Sequence, residues 1–473
     1  MNAPLLAIAP HRPAEPEPPP AAMSARTLLL LNGPIVPTLL RLAWPNVLVM
    51  LAQASTGLIE TFWVSRLGTD ALAGMALVFP GFMMMGMLSA GAVGGGIASA
   101  VARALGSGRR ADADALVLHA LLINVALGLA TSALFLVFGR QIYAAMGGRG
   151  GSFDAAMAYS NVVFAGNIVL WLMNALASLI RGTGNMLFPS TVVCIGVVLL
   201  VPLSPLFIFG LGPFPAMGIA GGGVAVVATT ALMAAILAWY VRSRNSIVRF
   251  RLVRLKAALF ADILRVGGVG SLSTLQTTLT VALTTGLVGA AAGPHAVAGY
   301  GTGARLEYLL IPLVFGLGAP LVAMVGTNIG AGQNHRALRI AMTGAAMAFV
   351  ACEAIGLGAA FWPGVWLRLF GDNPVMIATG SEYLRFVGPA YGFFGLGLAL
   401  YFGSQGAGRL LWPLLAGFAR LVIAVGGGWL ALVLTGSLTM VFVMLGIALT
   451  AYGVIVAVAV RSGVWFRDGR DAR

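Results

Sequence analysis

The sequence has little charge, one lysine and almost no cysteine. Charged residues are 9% of the 473, while 59% are hydrophobic. A soluble domain carries about 25% charged residues, so a water-facing fold is excluded and a polytopic membrane protein remains. The two cysteines, Cys194 and Cys352, both lie in apolar segments and give no disulfide framework. The four histidines (His11, His119, His295, His335) are scattered without ligand spacing, so neither a metal nor a resident cofactor is expected. No nucleophile stands with a base, as a membrane-embedded enzyme would need. The first residues lack the apolar core of a signal peptide. Proline and glutamate dominate Pro10 to Pro20, and residues 1–26 are expected to be a disordered tail, with Met1 or Met23 as the start.

What the chain has instead is apolar length. A bilayer takes about 20 apolar residues per helix. Twelve such stretches occur, at 36–64, 73–101, 114–138, 157–180, 189–210 and 219–241, then 260–290, 297–326, 337–361, 383–405, 413–435 and 438–460. Glycine fills 64 positions and lets helices approach closely in lipid, where apolar burial alone gives no attraction. Prolines inside the stretches (Pro45, Pro80, Pro202, Pro205, Pro312, Pro320, Pro389) predict bends. Between the two sets of six lies Val241 to Lys256, which holds Lys256 and five arginines and no acid.

The two sets are copies of one unit. Gly106 and Gly108 in Ala102-Arg-Ala-Leu-Gly-Ser-Gly-Arg-Arg-Ala111 match Gly330 and Gly332, an offset of 224. Leu40-Arg41-Leu42 matches Leu264-Arg265-Val266 at the same offset, and Gly184 and Pro189 match Gly408 and Pro413. Leu72-Ala-Gly74 matches Val297-Ala-Gly299 at 225. Six spans per copy is an even number, so both copies cross in the same direction. The expected fold is therefore all-α, with twelve transmembrane helices in two six-helix lobes related by a parallel repeat. The expected lobes are 27–241 and 257–461, joined by the basic loop 242–256 and followed by a tail at 462–473. Transporters built on parallel repeats hold their substrate between the copies.

The net charge of +14 follows from membrane orientation rather than nucleic-acid binding, because the arginines sit in loops and tails. Eighteen basic residues fall on the side of the central loop, Arg109, Arg110, Arg181, Arg336, Arg339 and Arg409 among them. Four (Arg66, Arg140, Arg149, Arg368) fall on the other side. Positive charge stays inside, so the loop and both termini are expected in the cytoplasm, with the chain in the inner membrane.

An acid inside a membrane helix is costly and marks a functional candidate. Three qualify: Glu60 late in span 1, Glu307 in span 8 and Glu353 in span 9. Glu60 can also be read as an interfacial partner of Arg66, and Glu307 as half of a structural ion pair. Glu353 has no local partner. Asp262 stands three residues from Arg265, and a helix-end ion pair is expected there. At offset 224, Glu60 maps onto Thr284 and Glu307 back onto Met83, so the acids are not duplicated. Asn167, Trp171, Asn174 and Ser178 form one face of span 4. Together with Gln53, Gln276 in the hydroxyl-rich span 7, and Phe82 and Met83 of a Met- and Phe-rich span 2, they are candidate cavity residues. Adaptable apolar surfaces of this kind suit varied ligands, although lipid-facing or packing roles are the commoner fate of such residues.

Leu39-Leu-Arg-Leu-Ala-Trp-Pro45, Glu60-Thr-Phe-Trp-Val-Ser-Arg-Leu-Gly-Thr-Asp-Ala-Leu-Ala-Gly74, Ala102 to Arg110, Arg181-Gly-Thr-Gly-Asn185, Ile208-Phe-Gly210 and Arg305-Leu-Glu307 resemble the multidrug and toxic compound extrusion family over about residues 27–461. The resemblance implies an exporter that exchanges organic cations or other toxic compounds for H⁺ or Na⁺ across a central cavity; cationic, amphipathic cargo and a monomer are expected. It places Glu60 where the family has a cation-binding aspartate, Asn174 beside it, and Pro45 at the bend of span 1. The family's acid of span 5 is Ser204 here, its asparagine is Leu200, and no acid occurs between Glu382 and Asp468. Protons are therefore the expected coupling ion, carried by Glu60, Glu353 or Glu307. Two rivals stand beside this reading. A flippase for lipid-linked precursors would favour a basic cavity, and a major-facilitator transporter would carry a fuller signature around Leu105-Gly-Ser-Gly-Arg-Arg110.

Overall fold

A computed structural model describes residues 23–210 and 214–466. Most of both expected tails, including residues 1–22 and 467–473, lies outside the described residues. The end of the N-terminal tail is ordered. Ser24 caps a helix over Ala25–Asn32 by accepting from the Thr27 N–H at 3.1 Å, and Leu30 and Leu31 of that helix are buried.

Twelve membrane spans follow, and among the described residues there is no strand. Spans 1 to 6 are Ile35–Ser65, Thr69–Gly106, Arg110–Ala145, the bent pair Gly150–Ala165 and Asn167–Gly182, Leu187–Phe209 and Ile219–Arg242. Spans 7 to 12 are Ala257–Gly293, Ala296–Gly330, Asn334–Phe361, Pro374–Ala407, Leu411–Thr435 and Leu438–Arg461. Gly293 makes the turn between spans 7 and 8 at φ 75°, a conformation without penalty only for glycine. Span 1 runs helically through Pro45. The sharpest break is in span 4, where Gly166 joins two helices at 46°, and span 10 is interrupted by the 3₁₀ turn Gly388–Ala390. A side chain at Gly166 would meet Val227 of span 6 at 2.5 Å, so glycine permits the close packing.

The repeat can be read in the contacts. Within each lobe Gly182 packs on the Ala98 carbonyl and Gly406 on the Val322 carbonyl, both partners shifted by 224. Gly74 rests on Ala155 and Ala156, and Gly299 on Thr379 and Gly380. The loops repeat as well: Arg109 N–H donates to Ala104 O at 2.9 Å, and Gln333 N–H to Asn328 O at 2.8 Å. Between the lobes the relation is reciprocal. A Cβ on Gly106 would meet Thr327 O at 2.0 Å, and one on Gly330 would meet Arg103 O at 2.1 Å. Residue 106 against 327 and 330 against 103 is the pattern of a two-fold axis, with the crossing of spans 2 and 8 on it.

Two large buried apolar clusters divide the molecule. One takes its members almost wholly from residues 49–263, the other mainly from 288–465. The contacts that join the lobes lie toward the face that carries the basic loop. There Ser99 Oγ donates to Gln405 O at 2.5 Å, and Arg103 pairs with Asp262 at 2.6 Å and also donates to Gly406 O; nearer the middle of the spans, Gly316 packs on Val47. Asp262 thus pairs across to span 2 and not with Arg265, because the guanidinium of Arg103 reaches it from the neighbouring helix.

The basic loop is an ordered strap. Arg249 N–H donates to Asp114 Oδ1 at 2.9 Å, Arg251 pairs with Asp114 at 3.4 Å, and Lys256 pairs with Asp112 at 3.1 Å. The Lys256 N–H donates to His119 Nε2 at 2.9 Å, which leaves the ring proton on Nδ1 to bond Ala115 O.

Candidate functional site

Span 1 carries Glu60 into the interior of the first lobe, where it is 2% exposed. Tyr159 of span 4 donates to its Oε2 at 3.0 Å, and Ser204 of span 5 to its Oε1 at 3.2 Å. Gly222 of span 6 closes the fourth side; a Cβ there would lie 3.5 Å from Oε2. No cation reaches Glu60 among the described residues. Arg66, the interfacial partner considered from sequence, lies instead over the rings of Phe62 and Trp63 at 4.9 and 5.5 Å. Glu60 is therefore a buried carboxylate held by two neutral hydroxyls.

Tyr159 escaped the sequence reading, which began the polar face of span 4 at Asn167. Asn174 is not beside Glu60, since its amide donates to Ser89 Oγ of span 2 at 2.7 Å. Asn167 donates to Thr131 Oγ1 of span 3 at 2.7 Å, Trp171 packs on Gly128, and Ser178 fits against Gly94. All four are buried. A polar stripe in lipid must meet protein or water, and here it meets protein, tying span 4 to spans 2 and 3. Gln276 is likewise a tie, donating to Gly417 O at 2.8 Å and to Thr280. Phe82 is half-buried beside Asn167 and Val163, while Gln53 and Met83 are exposed on spans 1 and 2.

The other two acids have partners that sequence did not supply. Glu353, apparently isolated on span 9, accepts from the Gly392 N–H at 2.8 Å. Gly392 opens the helix Tyr391–Ala407, just past the short 3₁₀ turn Gly388–Ala390 that contains Pro389. A break of this kind frees N–H groups and leaves a positive helix end, and a carboxylate satisfies both. The Glu353 carboxylate therefore caps a broken span.

Glu307 faces a cleft in the second lobe between spans 7, 8, 10, 11 and 12. Arg420 Nη2 donates to its Oε1 at 2.8 Å, and Tyr383 OH to its Oε2 at 3.4 Å. Tyr383 stands 224 residues after Tyr159. The two lobes therefore hold a carboxylate with equivalent tyrosines, but the acid comes from span 1 in one and span 8 in the other. Thr284, the repeat counterpart of Glu60, lines the same cleft. Arg420 had no mark in the sequence beyond being a charge inside an apolar stretch.

Comparison with known proteins follows the same lines. The MatE family model matches residues 45–206 and 271–430, one segment in each lobe. The FAD transporter of Shewanella oneidensis is 28% identical over 402 residues, covering 83% of this chain and 87% of its own. A Thermotoga maritima protein named Probable multidrug resistance protein NorM is 24% identical over 392 residues, covering 82% and 84%. A solved structure of MATE in the bent conformation superposes with a TM-score of 0.86 at 24% identity over 94% of this chain and 98% of its own. A MOP superfamily transporter from Pyrococcus furiosus, described as having a binding pocket of reverse polarity, superposes with a TM-score of 0.84 at 23% identity over 94% and 98%.

Proposed function

The chain belongs to the MatE family of multi-pass membrane transporters, and on that premise we propose that it is a proton-coupled exporter whose proton carrier is Glu60. The observation that supports this is the setting of Glu60: buried, without a cation, held by the hydroxyls of Tyr159 and Ser204. A carboxylate among neutral groups can take up and release a proton without breaking an ion pair, whereas Glu307 would have to part from Arg420 and Glu353 from a helix end. Hard cations such as sodium call for several oxygen ligands, and among the described residues two side-chain oxygens are hydrogen-bonded to Glu60. The flippase alternative would favour a basic cavity; the acids described inside the lobes are Glu60 among hydroxyls, Glu353 on a helix end and Glu307 neutralised by Arg420.

The cycle follows from the lobes. With the basic loop in the cytoplasm, the contacts of Gly106 with Thr327 and of Gly330 with Arg103 close the cytoplasmic side. Export then requires these contacts to open in turn. Protonation of Glu60 and cargo binding are linked reciprocally, so each weakens the other.

Export assayed in proteoliposomes tests the scheme, with an imposed pH gradient and a cargo panel of cationic dyes and FAD, since the relatives' names point to both. Glu60→Gln keeps the side chain's shape and should abolish gradient-driven export while the protein remains folded. Export that requires Na⁺ at constant pH, or that continues in Glu60→Gln, overturns the assignment.

A further inference from the structure

The helix Ala25–Asn32 leads into span 1 of the first lobe but is seated on the second. Its Leu30 O accepts from the amide of Asn328 on span 8 at 3.1 Å, and Gly33 O, just past its end, accepts from Arg336 on span 9. Leu30 is 1% exposed and belongs, with Leu39 and Ala43 of span 1, to the apolar cluster of the second lobe. It also touches the first lobe, since a Cβ on Gly184, in the loop between spans 4 and 5, would lie 2.8 Å from its Cδ1. The helix therefore lies across the seam, on the face that carries the basic loop. It has no part in the scheme built on Glu60.

The repeat places an equivalent on the other side of the two-fold axis. At the offset of 224, residues 25–32 fall on 249–256, the strap that leads into span 7. The strap lies on span 3 of the first lobe through Asp114 and His119, and Val248 and Ile263 belong to the first lobe's cluster. Ile263 is the counterpart of Leu39, so the exchange is reciprocal. Each lobe seats the segment that leads into the other lobe's first span. Arg336 falls back on Asp112, which pairs with Lys256 at 3.1 Å. Equivalent positions thus hold both clasps, with an arginine on a carbonyl in one and an aspartate on a lysine in the other.

The two clasps differ in how they are tied. The strap is a covalent connection from span 6 to span 7 and cannot let go. The helix is joined by chain to span 1, through Gly33 and Pro34, but its tie to the second lobe is two hydrogen bonds and a buried leucine. When the lobes part on this face, the helix cannot keep both Asn328 and Gly184 as neighbours. We propose that the helix Ala25–Asn32 is a releasable latch between the lobes, and that Arg336 is the positioning residue that seats it and so holds this face closed. The proposal rests on the transporter reading but not on the identity of the coupling ion.

Pulsed electron resonance on the full-length protein in lipid nanodiscs tests it without gradient or cargo, so its outcome is separate from that of the Glu60 experiment. Nitroxides at Leu187→Cys and Leu411→Cys, exposed positions one repeat apart at the starts of spans 5 and 11, report the separation of the lobes once Cys194 and Cys352 are replaced. In a separate sample a label at Leu28→Cys, on the exposed side of the helix, reports the mobility of the latch. Arg336→Gln removes a hydrogen bond from a charged group and should lower the ratio of closed to open forms by roughly tenfold. The Leu28 label should become more mobile in the same variant, and Arg336→Lys should recover part of both effects. Leu30→Ala removes the apolar anchor from the helix itself and should open the lobes at least as far, which decides the question if Arg336→Gln fails to fold. A more mobile Leu28 label with unchanged lobe distances would mean a helix that is seated but holds nothing, and overturns the proposal. Unchanged lobe distances in both Arg336→Gln and Leu30→Ala overturn it as well.

Discussion

Adding one methyl group to Gly106 should push the two lobes apart on the face that carries the basic loop. The new Cβ would sit 2.0 Å from Thr327 O and 2.8 Å from its carbonyl carbon. Non-bonded heavy atoms settle near about 3.5 Å, so spans 2 and 8 must separate by roughly 1.5 Å, and the obstacle is backbone that cannot rotate away. Overpacking of this sort costs about 1–3 kcal/mol. Only the closed arrangement bears that cost, so the ratio of closed to open forms should fall by about 5- to 150-fold. Gly330→Ala should act alike, since its Cβ would meet Arg103 O at 2.1 Å. Gly86→Ala is the control, because nothing lies within 4 Å of that position. Nitroxide labels at Ser107→Cys in the loop after span 2 and at Asn334→Cys at the start of span 9 would report the distance distribution by pulsed electron resonance after Cys194 and Cys352 are replaced. The expected result is a shift to longer distances in Gly106→Ala and Gly330→Ala, with reduced export. An unchanged distribution in both, or an equal shift in Gly86→Ala, would refute the two-fold closure.

The ion pair beside that crossing should be unequal in its two halves. Asp262 is 43% exposed, so Asp262→Asn should cost under about 1 kcal/mol. Arg103 also holds Ser99 and the Gly406 carbonyl, so Arg103→Ala should cost about 2 kcal/mol or more. Melting temperatures of the purified variants decide, and equal losses would contradict the network. The strap depends on Asp114, which is 7% exposed and receives both the Arg249 N–H and the Arg251 guanidinium. Asp114→Ala should make trypsin cut within 249–256 several-fold faster, and an unchanged cleavage rate would mean that other contacts hold the strap.

The spans and the repeat were legible because they depend on local composition and on spacing along the chain. A bilayer demands about 20 apolar residues wherever a helix crosses, so all twelve crossings are written in hydropathy, near the limits observed. The glycines at 106, 182, 330 and 406 recur at one offset because each marks a place where two backbones touch, and no other residue fits. Glu60, Glu307 and Glu353 were visible as acids in apolar surroundings, since that mismatch needs no knowledge of the fold.

What each acid does was decided by packing. Arg420 lies 113 residues from Glu307, and Tyr159 lies 99 from Glu60. Partnerships of that length leave no periodic trace in a sequence. Asp262 shows the same limit, for its nearest arginine in sequence was the wrong one and Arg103 came from another helix. The stripe on span 4 was read correctly as a face, but whether that face met a cavity or a neighbour depended on where spans 2 and 3 lay. Glu353 looked free of partners because its donor is a main-chain N–H exposed at a helix break. Local chemistry set the helices and their copies. Only the tertiary arrangement decided which buried charge was neutralised and which was left with hydroxyls alone.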